Sequence, residues 1–149
     1  MAHGWEIAVE LLRASRALID ATHERLADRG HPQMRPAHGY AFQAIGAEGL
    51  TASELGQALG ITKQAAGQMV DELLRLGYVR REPDPADARR KRVTLTAHGI
   101  DALAQSAAVF EELCAEWDRR LPDGMTRDDL LAALRAGSGD APRALRPIW

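Results

Sequence analysis

Apolar residues along this chain recur mostly at intervals of three and four, the period of an amphipathic helix, and switch to strand-like alternation near residues 78–96. Trp5, Ala8, Leu11, Leu12, Ser15, Leu18, Ile19, Thr22 and Leu26 trace one side of a helix expected over residues 5–28, with Glu6, Glu10, Arg13, Arg16, Asp20 and Glu24 elsewhere. Gly30, His31 and Pro32 end it. A stripe this long must be buried against something. Arg35 and Pro36 then open a second helix, since proline suits a first helical turn. Its packing side is Ala37, Tyr40, Ala41, Ala44 and Ile45, and residues 46–49 close it.

The centre of the chain, residues 50–96, reads as two short helices and a hairpin. Thr51 with Glu54 three residues on is a capping box that opens a helix through Leu59, and Gly60 supplies a sharp turn. Thr62 caps the next helix, which runs to Leu76 and stops at Gly77. On it, Ala66, Met69, Val70 and Leu73 form a buried stripe, while Lys63, Gln64, Gly67, Gln68, Asp71 and Arg75 face away. Gln pairs well with adenine edges in a major groove, and Lys serves guanine or phosphate. Gly67 fits two accounts, close approach to a DNA backbone or close packing against another helix.

Residues 78–81 and 92–96 carry the β-branched pattern of strands, and the turn-prone run EPDPADARRK lies between them. From Thr62 to Arg92 there are eight Lys/Arg against five Asp/Glu, a net charge of +3 in a chain whose total is −2. Positive charge is therefore gathered on one segment, as expected of a surface that meets phosphates. A polar helix face or a basic loop alone is an ordinary solvated surface; in succession they point to a helix-turn-helix with a wing.

After Gly99, a helix is expected to about Arg120, with Ile100, Leu103, Ala107, Phe110, Cys114, Trp117 and Leu121 forming a coiled-coil-like seam. Thr126 and Asp129 cap a short final helix bearing Leu130, Leu131 and Leu134. Residues 137–149 read as a flexible tail, with Leu145, Ile148 and Trp149 able to dock.

At 149 residues the chain is one domain's worth, and 46% hydrophobic with 27% charged residues is ordinary for a globular protein. No run is apolar enough to span a membrane and no signal-peptide pattern opens the chain, so a cytoplasmic protein is expected. The single Cys114 excludes an internal disulfide framework. Five scattered histidines have no metal-ligand spacing, so neither a metal nor a cofactor is expected.

The run Asp84-Pro85-Ala86-Asp87-Ala88-Arg89, followed by Val93-Thr94-Leu95-Thr96 and Gly99, resembles the wing of MarR-family transcriptional regulators. The likeness continues upstream through Leu55, Leu59, Thr62, Asp71, Leu73, Gly77, Tyr78 and Val79. It implies a mainly α fold with a small β-hairpin wing, a winged helix-turn-helix (residues 35–96) plus a helical dimerisation layer (residues 5–30 and 97–136), in one domain. It further implies a homodimer that binds a palindromic double-stranded operator, usually as a repressor, and is released by a small aromatic or phenolic effector. By the same resemblance Thr62, Lys63, Gln64, Gly67, Gln68 and Arg75 would serve the major groove. Arg89 and Arg90 would lie near the wing tip and reach for the minor groove, with Lys91 and Arg92 also on the DNA and Asp87 orienting Arg89 through an ion pair. Trp5, Arg13, Met34, His38 and Tyr40 would line an effector crevice, although an ordinary exposed or packed histidine is the more natural reading of His38 taken alone.

Other classes fit less well. No phosphate-cradling glycine loop or nucleophile elbow is present, so an enzyme is not expected. Cys114 sits on the apolar seam, where an inert thiol is more natural than a redox sensor. A winged helix used only for protein contacts is a further alternative, disfavoured by the basic wing.

Overall fold

Local signals set the element boundaries. Thr51 Oγ1 accepts the Glu54 N–H at 3.2 Å while the Glu54 carboxylate accepts the Thr51 N–H at 2.7 Å. That reciprocal cap starts α3 (Ala52–Leu59), and Gly60 in the left-handed region ends it. Thr62 caps α4 (Lys63–Arg75), its hydroxyl accepting the Ala65 N–H. In the computed structural model, which describes residues 1 and 3–139, these two helices lie between α1 (Gly4–Asp28), α2 (Pro36–Ile45) and a hairpin of β1 (Val79–Pro83) and β2 (Lys91–Leu95). Two further helices follow, α5 (Ala97–Asp118) and α6 (Arg127–Ser138).

The strands pair antiparallel, Val79 with Leu95, Arg81 with Val93 and Pro83 with Lys91. The hairpin is longer than the sequence indicates. Glu82, Pro83 and Lys91 belong to the ladder, because a proline on a two-stranded ribbon can turn its missing N–H outward. Leu50 adds an isolated bridge to Val93, donating at 3.0 Å and accepting at 2.7 Å. Gly49 makes this possible, since a Cβ there would stand 2.6 Å from the Val93 carbonyl oxygen.

One core holds α2, α3, α4 and the hairpin together: Phe42, Ile45, Leu55, Val70, Leu73, Tyr78 and Val93 are all nearly inaccessible. On α4 the expected stripe is right, with Met69 only partly covered at its edge. On α2 the sequence misses His38 and Phe42, both wholly buried. That helix packs against α3, α5 and β2 together, so no single stripe describes it. Tyr78 forms the joint of the molecule. Its ring stacks on His98 at 4.5 Å, and its hydroxyl lies 3.2 Å from His31 Nδ1, whose Nε2 is 2.9 Å from Asp101.

The outer layer differs from the simple stripe expected of it. Only Thr22 and Leu26 of α1 are buried; Trp5, Leu11 and Leu12 are 64%, 47% and 68% exposed. α5 uses Ala102, Val109 and Leu113 against the far half of α1, and ion pairs Arg25–Glu116 (2.6 Å) and Arg29–Glu112 (2.7 Å) flank the contact. The seam residues Ile100 and Phe110 instead face outward, 58% and 40% exposed. α6 runs through Gly137 and Ser138, which the sequence places in the tail, and presents Leu131 and Leu134 outward. Of that tail, residues 140–149, with Leu145, Ile148 and Trp149, lie outside the described residues. Among the described residues no helix is long and apolar enough to cross a membrane, and no cluster of three metal-ligating side chains occurs.

Candidate nucleic-acid interface

The outward face of α4 is built from its first turns. Thr62 is held at the cap, and Lys63, Gln64 and Gln68 are exposed beyond it. Gly67 lies between them, and a Cβ there would meet nothing within 4 Å. The packing account of Gly67 therefore fails within this chain. What remains is a bare stretch of helix backbone open to an outside partner.

The wing shows which cations are occupied. Arg81 donates to Asp71 of α4 at 2.8 Å, and Arg80 to Glu82 at 2.6 Å. Arg92 donates to the carbonyls of Glu48 (2.8 Å) and Gly49 (2.9 Å) and lies 3.7 Å from Asp84, so it braces the base of the wing. By contrast Lys63, Arg75, Arg89, Arg90 and Lys91 are exposed and make no ion pair among the described residues. These five carry the charge available to a ligand.

Asp84 organises the tip. Nearly buried, it accepts the Ala86 N–H at 3.0 Å and donates its own N–H to the Arg90 carbonyl at 3.0 Å. Asp84 is one of the two aspartates that mark this run as turn-prone, and Asp before Pro is an Asx-turn signal. Asp87 does not ion-pair with the Arg89 side chain as expected. Its carboxylate accepts the Arg89 backbone N–H at 3.0 Å, because two residues of separation in a tight turn favour that local bond. The turn still fixes the direction in which Arg89 leaves the chain.

Behind the reading head, α1, α2 and α5 enclose a cavity of about 140 Å³ lined by His23, Met34, Tyr40, Gln43, Ser106 and Phe110, among others. An outer hollow beside it includes Leu12, Arg16, Asp20 and Arg35. Of the five residues expected there, the structure brings Met34 and Tyr40 to the cavity. His38 is buried beneath it, Trp5 stacks on His3 near the chain start, and Arg13 pairs with Glu10 on the surface. His23 was not anticipated. Burial pushes its pKa down, partly opposed by the Met34 backbone, and its Nδ1 has no hydrogen-bond partner.

Comparison with known proteins places this geometry. Residues 33–90 match the sequence model of the MarR family. The chain is similar to the LexA repressor of Deinococcus radiodurans, 33% identical over 87 residues, 56% of this chain and 39% of that protein. It is also similar to the transcriptional regulator HosA of Escherichia coli O111:H-, 40% identical over 60 residues, 40% of this chain and 44% of the relative. The chain thus spans less than half the length of these curated relatives. Among solved structures, RV1404 from Mycobacterium tuberculosis superposes with a TM-score of 0.72 at 22% identity, covering 95% of this chain and 100% of the other. A variant of Staphylococcus aureus MepR bound to an oligodeoxyribonucleotide gives 0.64 at 18% identity, over 90% of this chain and 100% of that one. At such identities the structures speak for the fold alone.

Proposed function

We propose that this chain, a MarR-family winged helix over residues 33–90, is a sequence-specific DNA-binding transcriptional regulator acting in the cytoplasm. The observation that carries the reading is the division among its cations. Arg80, Arg81 and Arg92 are committed to the protein, while Lys63, Arg75, Arg89, Arg90 and Lys91 are left free beside an exposed Gln64, Gln68 and bare Gly67. Gln64 and Gln68 read base edges in a major groove, and Arg89 and Arg90 reach the adjacent minor groove. The regulator works as a homodimer on a palindrome. Supporting this are the apolar side chains left open on α1, α5 and α6: Trp5, Leu12, Ile100, Phe110 and Leu131 are each at least 38% exposed.

The sign of regulation is repression, and a small aromatic or phenolic effector in the cavity relieves it. A space of about 140 Å³ with mostly apolar walls suits a single ring, much as engineered apolar cavities of about 150 Å³ admit benzene. Selection of bound duplexes from a random pool, followed by mobility shifts with and without a phenol series, tests the proposal. Enrichment of a palindrome, released by the effector, is expected; a pool that stays random after selection would reject it.

A further inference from the structure

The start of α2 touches the recognition helix through one carboxylate. Two side chains at the start of α2 converge on that one group, Glu72 of α4. Arg35, at the cap of α2, gives its guanidinium to Glu72 Oε2, and His38 Nε2 lies 3.6 Å from the same oxygen. His38 is wholly buried. Its Nδ1 accepts the Arg35 backbone N–H at 3.2 Å, so a neutral ring carries its proton on Nε2. Burial does favour the neutral ring, against the opposing pull of Glu72. That Nε2–H has no hydrogen-bond partner, since 3.6 Å is too long for one. A buried donor left open beside a carboxylate that a competing cation already holds gives that carboxylate two stations.

The same segment borders the cavity. Met34 and Pro36 line it, Arg35 lines the outer hollow, and Gly39 faces the cavity one residue past His38. On α4, Gln64, Gln68 and Glu72 follow at four-residue steps, along one ridge of the helix. The near end of that ridge presents the two glutamines, and Glu72 anchors its far end.

We infer that Glu72 is a positioning residue for α4: held by Arg35 and with the open His38 Nε2–H beside it as a second station, it makes the seating of that helix answer to what occupies the cavity beside α2. The inference rests on the DNA-reading function proposed above. Its sign is diagnostic. Removing a carboxylate from a DNA-facing domain strengthens attraction to any duplex by simple electrostatics. A positioning carboxylate does the reverse on the specific site.

The test uses the full chain and a duplex selected by it from a random pool, with thermal melts to verify folding. Affinities of the wild type, Glu72→Gln, Gly39→Leu and the double variant are measured on the selected and a scrambled duplex at one salt concentration. Glu72→Gln is expected to lose roughly tenfold or more on the selected duplex and nothing on the scrambled one. Gly39→Leu, which fills the cavity, is expected to cost roughly fivefold or more alone but under about twofold beside Glu72→Gln. Equal or tighter binding of the selected duplex by Glu72→Gln overturns the inference, as does a Gly39→Leu effect on that duplex that is the same in both backgrounds, zero included. Should Glu72→Gln fail to fold, Arg35→Gln, at an exposed position, is expected to lose roughly tenfold or more on the selected duplex and under about twofold on the scrambled one, and equal losses on the two overturn the inference. A pool that enriches no duplex overturns DNA reading and this inference together, whereas either other failure overturns this inference alone.

Discussion

Gly99 of α5 approaches Tyr78 so closely that a Cβ on it would lie 2.2 Å from the Tyr78 carbonyl oxygen. No side chain fits there, and the contact seats the start of α5 on the joint between recognition helix and wing. Gly67 is also helical but has open space around it. The same substitution at the two positions is therefore expected to act in opposite directions. Gly99→Ala should destabilise by about 1–3 kcal/mol through overpacking, although helix propensity alone favours it by about 1 kcal/mol. Gly67→Ala should gain about 0.5–1 kcal/mol and yet weaken binding to a selected duplex. Denaturant unfolding paired with a binding assay checks both signs.

The two kinds of wing arginine separate by what they lose. Arg89→Ala and Arg90→Ala should leave stability within about 0.5 kcal/mol and each reduce the salt slope of DNA binding by about 1. Arg92→Ala removes two bonds to the carbonyls of Glu48 and Gly49 and should cost about 1–2 kcal/mol of folding stability. A stable Arg92→Ala protein with a reduced salt slope would reverse its assignment.

Base reading and backbone grip are expected to differ on α4. Gln68→Ala should lose about 1–3 kcal/mol on a selected duplex and little on scrambled DNA, while Lys63→Ala weakens both alike. Equal losses from Gln68→Ala on the two duplexes would reduce that face to a phosphate contact.

The link between wing and recognition helix is open to test as well. Arg81 and Asp71 are an exposed pair, so breaking it should change stability by no more than about 1 kcal/mol. Arg81→Ala should nevertheless lower the ratio of specific to scrambled binding, because wing and helix then dock independently. Asp71→Ala, which also removes an acid from that surface, should raise scrambled binding.

Phe110→Glu places a charge on the outward seam of α5. Dissociation to a folded monomer in sedimentation is expected, since the substituted side chain meets solvent in one chain but burial in a pair. A wild-type protein that sediments as a monomer at micromolar concentration would remove the dimer from the proposal.

What could be read from the sequence was what is decided locally. Thr51 with Glu54 and Thr62 with Ala65 act within one turn, and both caps fall where spacing puts them. The bracing role of Arg92 could not be told from a DNA contact, because the Gly49 carbonyl that claims it comes from 43 residues earlier. On α5 the three-and-four spacing is satisfied by two sides. Ala102, Val109 and Leu113 take the inner one, leaving the more conspicuous Ile100 and Phe110 outside. His31 gave no signal of burial and His38 could not be told packed from exposed, since what surrounds them, Tyr78, Asp101 and Glu72, arrives only with the folded chain.

The bridge between Leu50 and Val93 closes the chain from Thr51 to Arg92 into a loop whose neck is two backbone hydrogen bonds. Such a loop opens as a unit. The Leu50 and Val93 amides at its neck are then expected to exchange with solvent together in a hydrogen-exchange measurement. The tip around residues 85–89, held only by its own short turns, is then the natural place for this domain to accept an insertion.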